Sequence, residues 1–79
     1  MAETPELVLW VKSECSACER ARELMASLSA AMQFEWSTDE GEYGDSVPVV
    51  ATADGQVLAE APIVASELVD AILALNPPD

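Results

Sequence analysis

Cys15 and Cys18 are the only two cysteines of the chain, separated by Ser16 and Ala17. Two thiols at C-x-x-C spacing have three chemical uses. They can cycle between dithiol and disulfide, close a structural bridge, or supply two ligands to a metal. Their neighbours favour the first. The apolar run Leu7-Val8-Leu9-Trp10-Val11 precedes the pair, and a helix-forming segment follows it. The pair is therefore expected on a strand–loop–helix junction, with the helix beginning at the first cysteine. A helix N-terminus carries free N–H groups and a partial positive charge, both of which favour thiolate over thiol. The thiolate is the species that attacks disulfides. Cys15 is the candidate nucleophile. Cys18 lies one turn further in, on the face that also carries Met25 and Leu28, and is the candidate resolving thiol.

The charges around the motif are informative. Lys12, Arg20 and Arg22 are the only cations, against fifteen acidic residues. Lys12 is a candidate to stabilise a Cys15 thiolate, with Glu14 acting in the opposite sense. Arg20 and Arg22 read as solvated flanking charges. Other chemistries lack their parts. There is no histidine for a Ser-His or Cys-His pair, and no glycine-rich phosphate loop. The acidic stretch Asp39-Glu40-Gly41-Glu42 with Asp45 lacks the ligand register of a calcium loop and reads as a solvated face. Without histidine or a third cysteine, a closed zinc site would need carboxylates or a second chain, so no metal site is assigned.

Seventy-nine residues make one domain, 1–79, with 51% apolar residues to form its core. The net charge of −12 argues against nucleic acid and anionic membrane as partners. No apolar run approaches the roughly 20 residues of a membrane span. Met1 to Glu6 is acidic and lacks the apolar core of a secretory signal, so a cytoplasmic location is expected.

The elements that would position the cysteines can be read from periodicity. Leu7–Val11 shows no polar alternation, as in a central strand covered on both faces. From Ser16 to Met32, apolar residues at Cys18, Ala21, Met25, Leu28 and Met32 make one helical face. Gln33–Ser37 reads as a short second strand and Asp39–Asp45 as a loop. Val47–Ala51 reads as a third strand with proline near its start, and Asp54-Gly55 as a hairpin turn leading to Gln56–Ala59. Ser66 is the expected N-cap of a last helix, with Leu68, Ala71, Ile72 and Leu75 along one face. Asn76-Pro77-Pro78 is expected to stop it.

From the strand before Cys15-Ser16-Ala17-Cys18 through Ser46-Val47-Pro48 and Asp54-Gly55 to the final helix, the chain resembles the glutaredoxin-like branch of the thioredoxin superfamily. The matching features run from Leu7 to Leu75. The resemblance implies an α/β minimal thioredoxin fold, β-α-β-β-β-α, on a four-stranded mixed sheet. It implies a cis peptide bond before Pro48, a proline facing the cysteines and helping to keep metal away. It also implies that the backbone at Val47 pairs with a bound thiol peptide as an added strand. The activity implied is thiol–disulfide exchange, with a disulfide-bearing protein or glutathione as partner. No bound cofactor is expected. Glutathione is a candidate co-substrate, although Leu58-Ala59-Glu60-Ala61-Pro62 stands where glutaredoxins carry a Gly-Gly pair. The residues between the cysteines also differ from the tyrosine-bearing pattern common in the family.

Only Asp39–Ser46 is available for the family's middle helix, so that helix is expected to be shortened or absent. An uncovered sheet face would follow, with Trp10 and Trp36 as candidates to line it and a homodimer or protein partner as its cover. Two other readings stay open: a non-catalytic thioredoxin-fold interaction module, and a dimer holding metal or an iron–sulfur cluster through Cys15.

Overall fold

A computed structural model describes residues 6–75. The N-terminal stretch read for a signal and the Asn76-Pro77-Pro78 helix stop lie outside the described residues. The elements are β1 (Glu6–Val11), α1 (Ser16–Met32), β2 (Glu35–Glu40), β3 (Val49–Thr52), β4 (Val57–Glu60) and α2 (Ala65–Leu75), with one 3-10 turn at Gly44–Ser46. The strands form one mixed sheet in the order β2-β1-β3-β4. β1 runs parallel to β2 and antiparallel to β3, and β3 is antiparallel to β4. The fold is thus α/β, a four-stranded mixed sheet with two helices.

The unbroken apolar run of β1 fits its central position between β2 and β3. Leu7, Leu9 and Val11 are buried in alternation along it. They join Val50 of β3, Cys18, Ala21 and Met25 of α1, and Leu68 and Ile72 of α2 in one core cluster. Period two on the strands and steps of three and four on the helices converge on that layer, as amphipathic elements require.

Several boundaries differ from the sequence reading. α1 ends at Gln33, which adopts φ 58° and ψ 61° and donates its N–H to the Ser29 carbonyl at 2.8 Å. Gln33 is therefore a helix cap rather than the start of a strand. β2 begins at Glu35 and takes in Asp39 and Glu40, because the whole of Glu6–Val11 is available to pair with it. Backbone pairing overrides the weak strand preference of acidic residues. β3 starts at Val49, two residues after the expected position, since the proline at position 48 has no N–H to give a ladder. β4 is displaced by one residue to Val57–Glu60, with a register irregularity between Val50 and Ala51.

The Asp54-Gly55 turn is present. Gly55 has φ 102° and donates its N–H to the Thr52 carbonyl at 3.0 Å, while Thr52 Oγ1 bonds the Asp54 carboxylate. Ser66 is not the cap of α2. That helix starts at Ala65, with Leu68 N–H donating to the Val64 carbonyl at 3.0 Å, so Ser66 falls inside the first turn.

The segment between β2 and β3 holds the 3-10 turn Gly44–Ser46 and lies in part over the face of the sheet away from the helices. Tyr43, just before it, meets Trp10 edge-on with ring centroids 5.5 Å apart, a favoured geometry for aromatic pairs. Trp36 does not share that face. It stands in register with Leu7 and packs against the helix-side core.

Candidate functional site

The site is built where β1 hands over to α1. Glu14 takes φ 55°, and this left-handed residue turns the chain out of the strand. Cys15 then occupies the N-cap with extended geometry, φ −123° and ψ 105°. Its carbonyl accepts the first helical hydrogen bond from Glu19 N–H at 3.2 Å. Its Sγ accepts the backbone N–H of Cys18 at 3.1 Å. Serine, threonine or aspartate oxygen usually fills this role. Here sulfur does, so charge on Cys15 would be met by a helix N–H and by the positive end of α1.

Cys15 and Cys18 are joined as a disulfide, with Cα atoms 5.2 Å apart. The two sulfurs are unequal in exposure. Cys15 is half-buried, while Cys18 is buried at 2% and belongs to the core cluster. The outer sulfur can be reached by a partner molecule, and the inner one sits in the core cluster with Ala21 and Met25, one and two turns along the helix.

Val47 and Pro48 are both buried, and the peptide bond between them is cis. Val47 belongs to the same core cluster as Cys18. Its backbone is extended, with φ −86° and ψ 159°. Pro48 borders a groove of about 330 Å³ together with Ala17, the residue just before Cys18. Sequence positions more than 30 apart are thereby brought to one place.

Lys12 is placed differently. Its Nζ donates to Asp45 Oδ1 at 3.0 Å, an exposed pair that ties the end of β1 to the 3-10 turn. Among the described residues its charged partner is Asp45.

The far wall of the groove is supplied by Ala61, Pro62, Ile63 and Ala65, and the Ala61–Pro62 bond is also cis. Of these the sequence points only to Ala61 and Pro62, as the end of the stretch that lacks a Gly-Gly pair. It does not place Arg20 there. Ala17, Ala21 and Leu24 fall at i, i+4 and i+7 on α1, so a second helical stripe beside the core face was the available signal. Among the described residues, no three His, Cys, Asp or Glu side chains converge as a metal-ligand set, and no helix is long and apolar enough to cross a membrane.

Comparison with known protein families, curated proteins and solved structures gives no match to this chain. Function therefore has to be argued from the site itself.

Proposed function

We propose that this chain is a small thiol–disulfide oxidoreductase of glutaredoxin-like type, on a minimal thioredoxin fold, acting in the cytoplasm. The observation that carries the reading is the position of Cys15. Its sulfur caps α1, accepts a helix N–H at 3.1 Å, and is bridged to a buried Cys18. The extended backbone at Val47, buried in one core cluster with Cys18, supports it as a place for a thiol-bearing segment to lie.

The reaction follows from ordinary exchange chemistry. In the reduced protein the Cys15 thiolate attacks one sulfur of a substrate disulfide. A mixed disulfide forms, and the displaced sulfur leaves as a thiolate that takes up a proton. Cys18, losing its own proton, attacks the Cys15 sulfur and releases the second substrate thiol. Two electrons pass to the substrate, and the protein finishes as the Cys15–Cys18 disulfide.

A titration in graded glutathione buffers, read by intact mass, tests this reading. We expect reversible loss of two hydrogens with a midpoint between about −300 and −120 mV, the span of known dithiol catalysts. Cys15→Ser removes exchange, and Cys18→Ser accumulates a mixed disulfide on Cys15. A pair that stays oxidised across the whole range is a structural bridge, and one that stays reduced is not a working redox couple; the proposal fails in either case.

A further inference from the structure

The groove bordered by Ala17, which stands between the two cysteines in sequence, has an unusual lining for this chain. Fifteen of the 79 residues are acidic, yet among the described residues no acidic side chain borders it. Its described walls are alanine and proline with Leu24 and Ile63, and the one charged residue among them is Arg20. Among the described residues Arg20 forms no ion pair. Ala65, the first residue of α2, borders the same groove, so the positive end of that helix adds to the field of Arg20. The groove starts at Ala17, between the cysteines, and follows α1 to Leu24. At the helical rise this is about 10 Å.

We infer that the groove selects the low-molecular-weight substrate of the dithiol: a disulfide whose thiol arm is an unbranched apolar chain ending in one carboxylate. This rests on the oxidoreductase reading above and names its substrate class. The apolar arm lies between Leu24 and Ile63, the carboxylate meets Arg20, and the sulfur end lies at Ala17 beside the cysteine pair. Glutathione suits this lining less well. It carries two carboxylates and an ammonium, and the groove offers one cation and no side-chain carboxylate. The exchange balances as before. Cys15 displaces one ω-carboxyalkyl thiolate, Cys18 displaces the other, and two electrons move from the dithiol to the ligand.

Two measurements test the inference. In the first, octanoate, below its micelle-forming concentration, is titrated into the oxidised protein and followed by amide chemical shifts. Shifts confined to Ala17, Arg20, Ala21, Leu24 and Ile63 are expected, and shifts elsewhere or none overturn the groove assignment. In the second, the reduced protein is mixed with the disulfide of mercaptooctanoate, its neutral amide counterpart, glutathione disulfide and hydroxyethyl disulfide, and oxidation is read by quenched intact mass. The mercaptooctanoate disulfide is expected to react about two- to fivefold faster than the amide, the size of one solvent-exposed ion pair. Arg20→Gln should bring that ratio close to one.

Equal rates for carboxylate and amide in the native protein overturn the inference, as does a preference for glutathione disulfide. In either case oxidation by hydroxyethyl disulfide leaves the oxidoreductase reading standing. A reduced protein that none of the four disulfides oxidises overturns that reading and the substrate class together.

Discussion

At the scale of single residues, the site depends on a sulfur doing the work of a helix cap. Cys15 Sγ accepts Cys18 N–H at 3.1 Å, and the disulfide closes a loop of only four residues. Chain-entropy arguments give such a short loop about 2 kcal/mol. Reduction opens the loop but frees a thiolate that the helix N-terminus favours, so the two effects oppose. We expect the reduced protein to be less stable by at most about 2 kcal/mol, measured as the difference in urea unfolding free energy between the two redox forms. A larger loss would mean that the bridge is chiefly structural. Lys12 makes a second case. Its pair with Asp45 is exposed on both sides, and exposed pairs contribute about 0–1 kcal/mol. Lys12→Gln should therefore change the alkylation rate of reduced Cys15 by less than about fivefold, as followed with iodoacetamide. The cysteine motif was plain in the sequence because everything it needs is local. The Lys12–Asp45 pair was not, since it joins residues 33 positions apart whose meeting depends on the sheet and the 3-10 turn.

Elements show the same division between local and tertiary causes. α1 and α2 could be read directly because their apolar residues recur every three or four positions, and Leu68 and Ile72 are buried where that spacing puts them. Leu68→Ala should cost about 2–5 kcal/mol, as expected for a fully buried leucine. Leu73→Ala, at 47% exposure on the other side of the same helix, should stay within about 0.5 kcal/mol. Thermal or urea melts of the two variants check the assignment of faces, and similar losses in both would mean the helix is rotated. The end of α1 was not legible. Nothing in the composition of Gln33 marks it as left-handed, and glycine usually holds that place. Gln33→Gly should then raise stability by about 1 kcal/mol, because it relieves the steric cost of the left-handed residue while keeping the N–H bond to Ser29. β2 was displaced for a related reason. Its place is fixed by Glu6–Val11 alongside, and an acidic run such as Asp39-Glu40 shows no strand signal of its own.

For the whole molecule, the order of elements followed from the sequence, whereas the groove did not. Its walls come from α1, from Pro48 and from the 61–65 stretch. None of these shows on its own that the acids would be kept off the surface they share. Elsewhere acids dominate, and fifteen of them against three cations leave a net charge of −12. Among the described residues Lys12–Asp45 is the one ion pair, so the other described carboxylates stand exposed without a cationic partner. Like charges at this density destabilise the compact state, because unfolding moves them apart. The effect is long-ranged at low ionic strength, where the screening length is about 30 Å at 0.01 M, wider than two of the molecule's principal extents of 40, 22 and 17 Å. At about 0.15 M it shrinks to about 8 Å, and most of the repulsion is screened. The melting temperature of the oxidised protein should therefore rise by several degrees as sodium chloride is increased over that range, since about 1 kcal/mol moves a domain of this size by roughly 4–8 °C. Scanning calorimetry at fixed pH reads the shift. A flat or falling profile would show that the carboxylates are arranged to avoid one another, and that the acidic surface costs the fold little. The same field bears on partners. A surface of this sign attracts basic protein surfaces and repels acidic ones, so under the proposed exchange activity a basic protein disulfide should be reduced faster at low salt than at high salt, as read by stopped-flow oxidation of the dithiol.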